Sequence, residues 1–466
     1  MAHLRVDYNS NALVFHRFFM NNLHPFLILH FFAFMKFPGR RKIKHYFPVN
    51  THNRFDMESS VFGQANTYIC GIDQNLVDIT ARVDDSVLRD YGLDKGASQW
   101  IDNDQANRLY CFLNEQQLIE DQFAGGTIGN TLHNYSVLAD DRSVQFGVMS
   151  KNIQVGDYAY RYLCNTSSKV DLTWLQPVDG PIGRCFALIT EDGERTFGIS
   201  PGFMNQLSPE FIDETIIAES SGLALSAYTL ANPDLPIYHA MVKAAQLAKK
   251  HQVPVILTLG TRGLVNAIKQ PLIEFLNEYV TIAAMNEEEA EELTGEPDPL
   301  SSSAHMLQWV DMVLLTAGAE GLYLSGYTEK ALARETDNPI RSGAISDFNR
   351  YEFSRPLLRA HCEEPLKVYS HISPYLGGPK NIKNTNGAGD GALAALIHDM
   401  AANYYHRQVL PTSSKHNKPW VTYSSFAQVC KYANRVSFEV LAQSSPRLSR
   451  ALPEREMSLE DSYWDQ

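Results

Sequence analysis

From about Thr67 onward, short runs of branched and aromatic residues alternate with stretches in which apolar residues recur every three or four positions. Tyr68–Val77 is apolar and rich in strand formers, and Ser143–Met149 reads as a second strand. Between them, Leu132–Ala139 reads as part of a helix behind a glycine-rich turn. Cys185–Thr190 and Arg195–Ser200 flank Asp192-Gly193, a pair that supplies the positive φ a tight hairpin turn needs. Pro236–His251 has helical spacing, whereas Val253–Leu259 and Tyr279–Met285 read as strands. Glu287–Leu293 predicts an acidic helix closed by Gly295, and Met306–Val310 leads into a strand at Met312–Thr316. Late in the chain, NTNGAGD (Asn384–Asp390) runs directly into the apolar helical stretch GALAALIHDM. This alternation predicts an α/β fold with a mainly parallel, Rossmann-like central sheet flanked by helices on both faces. The early hairpins, in parts of about 79–122 and 160–205, are expected to form a small β lid. Residues from about 330 to 365 keep no clean period and read as an insertion, and the tail after Leu452 is polar and acidic.

Length changes this picture little, since 466 residues hold one large α/β domain and a smaller one. The first residues differ from the rest. Pro25–Phe34 is apolar but too short for a membrane span, and the basic residues follow it instead of preceding it as in a signal peptide. Residues 1–34 are therefore expected to be an extension ahead of a working start at Met35, with a membrane-associating arm as the alternative. The formal charge, 40 − 53 = −13, argues against a general nucleic-acid surface, and the short run Arg40-Arg41-Lys42-Ile43-Lys44 reads as a solvated arm. Six scattered cysteines without a C-x-x-C pair suit buried thiols in a reducing, cytoplasmic setting better than a disulfide framework or a zinc site.

The candidate chemistry lies in glycine-rich turns. In NTNGAGD, the small residues Gly387, Ala388 and Gly389 let backbone N–H groups approach an anion, and the following helix adds its positive end. Asp390 beside them could take a proton from an attacking hydroxyl, or could simply cap the helix. Asn286-Glu287-Glu288-Glu289 stands where a strand passes into a helix, the ligand edge of open α/β sheets. Asn286 and Glu289 could hold hydrated Mg²⁺ through water, or the acids could serve the helix dipole. Thr316-Ala317-Gly318-Ala319-Glu320-Gly321 also follows a strand and leaves room for a nucleotide, or is a plain turn. Phe123-Ala124-Gly125-Gly126-Thr127-Ile128-Gly129-Asn130 is a further glycine turn entering a helix, with Asn130 offering both donor and acceptor. Asp73 and Asp78 mark the end of the first strand, where a carboxylate can accept from two sugar hydroxyls or cap a turn. No P-loop, dinucleotide fingerprint or H-E-x-x-H is present.

Together these motifs resemble those of the ribokinase (PfkB-type) family of sugar and nucleoside kinases. NTNGAGD is similar to its D-T-x-G-A-G-D, AGGTIGN to its A-G-G-x-x-x-N, Asn286…Glu289 to its N-x-x-E and TAGAEG to its T-x-G-x-x-G, in the family's order. DITARVDDSVLRDYGLD, from Asp78, looks like a segment of the family's nucleoside kinases. The resemblance implies a ribokinase-like fold and ATP-dependent transfer of a γ-phosphate to the 5′-hydroxyl of guanosine or inosine. By position it implies Asp390 as catalytic base and Gly387, Ala388 and Gly389 as anion hole. Asp73, Asp78, Gly125, Gly126, Thr127 and Asn130 fall on the sugar side. Asn286, Thr316, Gly318, Gly321 and Asn386 fall on the nucleotide side, with Asn286 and Glu289 near Mg²⁺. Asn384 replaces the motif's first Asp, beside the monovalent-cation site of several relatives, so K⁺ activation is open. The G-x-D-x-x-G that usually follows the second strand is altered around Asn152 and Gly156. An adenosine or sugar kinase of the same fold, or a non-catalytic nucleoside-binding protein, are the alternative expectations.

Overall fold

The computed structural model describes residues 67–336, 345 and 348–452. The expected extension, the start at Met35, the basic run, part of the 330–365 insertion and the acidic tail lie outside those residues.

Strands are numbered in chain order: β1 (Ile69–Ile72), β2 (Leu76–Arg82), β3 (Ser98–Trp100), β4 (Ile119–Ala124), β5 (Ser143–Ser150), β6 (Val170–Asp171), β7 (Leu175–Val178) and β8 (Gly183–Ile189). They continue with β9 (Arg195–Ser200), β10 (Leu223–Ser226), β11 (Val255–Thr258), β12 (Ile282–Asn286), β13 (Met312–Thr316), β14 (Leu322–Glu329) and β15 (Pro365–Ile372). Ten of them make the central sheet, in the order β15-β14-β13-β12-β11-β10-β1-β5-β6, with β7 also pairing β5. From β6 to β13 the pairing is parallel, and every residue of β1, β10 and β11 is buried, as a sheet covered on both faces requires. At the other edge β14 and β15 turn antiparallel. The segment between these two strands holds only short 3₁₀ turns and a bridge from Leu357 to Tyr327 among its described residues.

A second sheet, β3-β9-β8-β2-β4, has five strands. The β8–β9 hairpin turns at Gly193, whose φ of 87° is the conformation the Asp-Gly pair predicts. A hairpin is not the whole of it, because β2 pairs parallel with β8 and antiparallel with β4. The chain thus leaves the central sheet after β1 and returns through β4 into helix α1 (Thr127–Ala139).

Three further helices shape the site: α2 (Glu287–Thr294), α3 (Ala388–Val409) and α4 (Phe426–Leu441). In α3 an unbroken run from Gly391 to Asn403 is buried, so the helix is enclosed on every side. Its small residues let neighbours come close: a Cβ at Gly391 would lie 2.9 Å from Val440 of α4. The strand expected over Tyr279–Met285 begins only at Ile282, because Tyr279 closes the preceding helix, Lys269–Tyr279. An apolar run cannot by itself mark where a buried helix gives way to a short strand. Cys70 and Cys430 are buried free thiols as expected, but Cys111 and Cys164 are exposed on helix surfaces. Among the described residues, no helix is long and apolar enough to cross a membrane.

Candidate active site

Parallel strands end together, so the loops after β1, β10, β12 and β13 share one edge of the sheet. Onto that edge the second sheet delivers β2 and the start of α1, and α3 points its N-terminus at the same place.

Asp73 follows β1, and its carboxylate accepts from the N–H groups of Gly129 (2.8 Å) and Ile128 (3.4 Å) in the first turn of α1. A side chain at Gly126 would collide with that carboxylate, and Gly126 also takes a φ of 93°. Asp73, expected to hold ribose, is therefore buried and capping α1. Asp78 is more open, lying on β2 opposite Phe123 and Cys185, with its Oδ2 just 2.6 Å from where a Cβ of Gly125 would stand. Thr127 opens α1 and is half-buried. Burial pushes both acids up, Asp73 to about 7 and Asp78 to about 6, with Arg447 pulling both down.

Asn130, on the next turn of α1, donates Nδ2–H to Asp390 Oδ2 at 3.0 Å. Asp390 occupies the third position of α3, after the N-cap Gly387, Ala388 and Gly389. Among the described residues its carboxylate accepts from Asn130 alone, so it faces α1 and not its own helix end. Burial raises it to about 7, the Asn130 amide lowers it, and Asp78 adds to the rise. The first intrahelical bond here runs from Gly391 N–H to Gly387 O at 2.8 Å, leaving the N–H groups of Ala388, Gly389 and Asp390 for another acceptor.

The glycines of this turn differ in kind. Gly387 has a φ of 81°, and a side chain there would strike Pro446, so the fold itself demands glycine. Around Gly389 an added Cβ meets nothing within 4 Å. Its smallness keeps space open beside the free N–H groups.

Asn384 bends the approach, its Oδ1 accepting from Asn386 N–H (2.9 Å) while its Nδ2 donates to Ser444 O (2.7 Å). A carboxylate could not make the second bond, so this chain replaces the charge with a donor. Asn386 Oδ1 and Thr385 Oγ1 both accept from Arg195 Nη1, at 3.1 and 2.9 Å, which fastens the start of β9 to the turn.

Asn286 and Glu289 sit on the same edge but are occupied with each other. Asn286 Oδ1 accepts from Glu289 N–H at 2.8 Å, while Glu289 accepts from Asn286 N–H at 3.2 Å and from its Nδ2 at 2.9 Å, a reciprocal cap on α2. Burial pushes Glu289 up to about 8, and Asp390 contributes to that rise. Glu287, exposed, lies 3.6 Å from the position of a Cβ on Gly318. Thr316 stands beside Asn286 in the β12–β13 register, and Gly321 backs onto the Ile372 carbonyl. Among the described residues, no three His, Cys, Asp or Glu side chains are grouped to hold a metal ion.

The structure thus joins Asp78, Gly125, Asn130 and Asp390 into one contact set, with Asn286, Glu289, Thr316 and Gly318 alongside. Sequence reasoning missed Arg447, whose guanidinium touches Asn130 and Gly125, as well as Arg195 and Tyr228. No local pattern marks any of them; only the folded chain brings them near.

Residues 122–338 match the family described as pfkB family carbohydrate kinase. Over 436 residues the chain is 59% identical to the guanosine-inosine kinase of Escherichia coli strain K12, covering 92% of this chain and 100% of that one. The chain belongs to the pfkB family of carbohydrate kinases. Solved structures share its fold: an adenosine kinase from Sinorhizobium meliloti (TM-score 0.60, 22% identity, 83% of this chain and 98% of that one). A probable sugar kinase from Rhizobium etli is comparable (TM-score 0.61, 18% identity, 84% and 97%).

Two outcomes test this pfkB-family site without assuming which acceptor it takes. Gly389→Ala adds a methyl group that the protein accommodates, in a helical position where alanine is favoured by up to about 1 kcal/mol. Thermal stability should hold or rise while binding of an ATP analogue weakens at least about tenfold, which calorimetry measures; unweakened binding would mean the space is unused. Asp390→Asn removes a carboxyl whose folded pKa is raised above its unfolded value. Ionising it disfavours the fold, so wild-type stability is lost as pH rises through the window from about 4 to about 7. The melting temperature of the variant minus that of the wild type should grow from pH 5 to pH 8; a constant difference would contradict the raised pKa.

Proposed function

We propose that the protein is a nucleoside kinase that transfers the γ-phosphoryl group of ATP to the 5′-hydroxyl of guanosine or inosine, giving GMP or IMP as in purine salvage. The observation that carries this reading is the Asp390–Asn130 contact beside an open helix N-terminus. The name of the 59%-identical relative supports the choice of nucleosides.

Phosphoryl transfer asks a protein for position and charge neutralisation more than for covalent chemistry. Asp78 and Asn130 would hold the ribose, and Asp390 would receive the 5′-hydroxyl proton as that oxygen bonds to the γ-phosphorus. The bond from phosphorus to the β-bridging oxygen breaks, and ADP leaves. Developing charge on the transferred group would meet the N–H groups of Ala388, Gly389 and Asp390 at the positive end of α3. A carboxyl near pH 7 suits the base, since it is ionised in part yet still accepts a proton.

ATP would lie toward Thr316, Gly318, Gly321 and Asn386. With no caging cluster among the described residues, the donor set fits Mg²⁺ carried on nucleotide phosphates and water. Glu289 and Asn286, already engaged with each other, would meet it through water, and Mg²⁺ would supply charge neutralisation on the phosphates. Asn384 offers an amide where the D-T-x-G-A-G-D motif it resembles has a carboxylate, so K⁺ activation would have to do without that charge. Six free thiols fit a cytoplasmic setting.

Asp390→Asn should cut kcat at least about a hundredfold while guanosine binding changes little, read by a coupled ADP assay and by calorimetry. Substantial remaining turnover would remove Asp390 as base. A substrate panel of guanosine, inosine, adenosine, cytidine and ribose should show kcat/KM highest for the first two. Preference for adenosine or ribose would overturn the nucleoside assignment, and tight binding with no ADP formed would replace the enzyme by a binding protein.

A further inference from the structure

Near the end of the described chain, Ser444–Leu448 runs as a strap across both halves of the site. On the anion side, the Ser444 carbonyl accepts from Asn384, and Pro446 packs where Gly387 has no side chain. On the sugar side, the Pro446 carbonyl accepts from Asn134 Nδ2 at 3.1 Å, and Leu448 N–H donates to Asn134 Oδ1 at 2.7 Å. His133 Nε2 pairs with the Leu448 carbonyl at 3.0 Å.

From the middle of this strap Arg447 enters the site with 4% of its surface exposed. Its Nε–H donates to Asn130 Oδ1 at 2.9 Å, its Nη2 to the Gly125 carbonyl at 3.2 Å, and its Nη1 to Thr166 Oγ1 at 2.6 Å and the Asn165 carbonyl at 3.4 Å. The guanidinium carbon lies 5.1 Å from the centre of the Tyr162 ring. An arginine offers donors only, so the face of the Asn130 amide toward it must be the oxygen. The nitrogen is then turned toward Asp390. Lysine could supply the charge but not four separate directions from a rigid plane.

We propose that Arg447 is a positioning residue for phosphoryl transfer, fixing the Asn130 amide so that its N–H faces Asp390 and balancing the carboxylates crowded there. The proposal rests on Asp390 being the base. Asp390 is faced by Asp78 on β2, Asp73 after β1, Glu289 on α2, Tyr228 after β10, Asn130 on α1 and Arg447 on the strap. Arg447 is the one cation among these groups, and its charge lowers Asp390, Asp78 and Asp73 alike. A base works ionised, so activity falls as pH drops through its pKa. Taking the cation away raises that pKa and carries the acid limb to higher pH.

The test is the pH profile of kcat for wild type, Arg447→Met, Arg447→Lys, Asn130→Ala and the Arg447→Met/Asn130→Ala pair, with melting temperatures recorded for each. Arg447→Met should lose at least about tenfold in kcat at pH 7, with its acid limb moved up by about one pH unit and part of the loss recovered at pH 9. Arg447→Lys should return the limb to the wild-type pH but leave the plateau reduced, because the amide is no longer oriented. On the plateau, the double variant should fall little below Asn130→Ala alone. An unmoved limb in folded Arg447→Met, or fully additive losses in the pair, would overturn the proposal. Should Arg447→Met fail to fold, Arg447→Lys decides: a wild-type plateau contradicts orientation by the guanidinium. If wild type itself shows no acid limb, or Asp390→Asn stays active, the base assignment has failed instead, and that outcome is separately visible.

Discussion

Crowding of carboxyl groups at the carboxyl-terminal edge of the central sheet is the constraint on which the rest of the site depends. Asp73, Asp78, Asp390 and Glu289 all meet there, and burial raises each of them to between about 6 and about 8. Left unbalanced, such a group would resist both folding and ionisation. Each acid is instead given a donor: Asp73 the N-terminus of α1, Asp78 the Cys185 thiol, Glu289 the Asn286 cap and Asp390 the Asn130 amide. What remains is a carboxyl near neutrality beside a helix end whose first N–H groups meet no acceptor among the described residues.

The fold serves that arrangement by supplying three rigid approaches to one point. The parallel strands bring β1, β12 and β13 to a common edge, while the second sheet carries β2 and Asp78 over it. The first turn of α3 continues directly into the buried run Gly391–Asn403, so the core anchors it and holds the free N–H groups in place. Arg195 ties the second sheet to the same turn, so the position of that sheet and the geometry of the Asn384–Asp390 turn are linked through one guanidinium.

Much of this was legible in the sequence, and for identifiable reasons. Strands of branched apolars and helices with regular spacing follow from burial periodicity, and they gave the α/β order and the position of the glycine turns. Roles within the turns were less legible. Gly387 and Gly389 look alike on paper, yet one is demanded by Pro446 and the other faces open space. Asp73 and Asp78 look like a matched pair, but only the second stays clear of a helix cap. Arg447 lies far along the chain from every motif, and nothing in its neighbours announces that it bonds Asn130. The antiparallel β14 and β15 were hidden because the irregular segment between them separates two strands that pair directly.

The most direct measurement of the account is a crystal structure of the wild-type protein with guanosine and a non-hydrolysable ATP analogue. The nucleoside 5′-oxygen should lie about 2.6–3.2 Å from the Asp390 carboxylate, with the terminal phosphate against the N–H groups of Ala388, Gly389 and Asp390. A 5′-oxygen directed away from Asp390, or a terminal phosphate bound elsewhere, would contradict it.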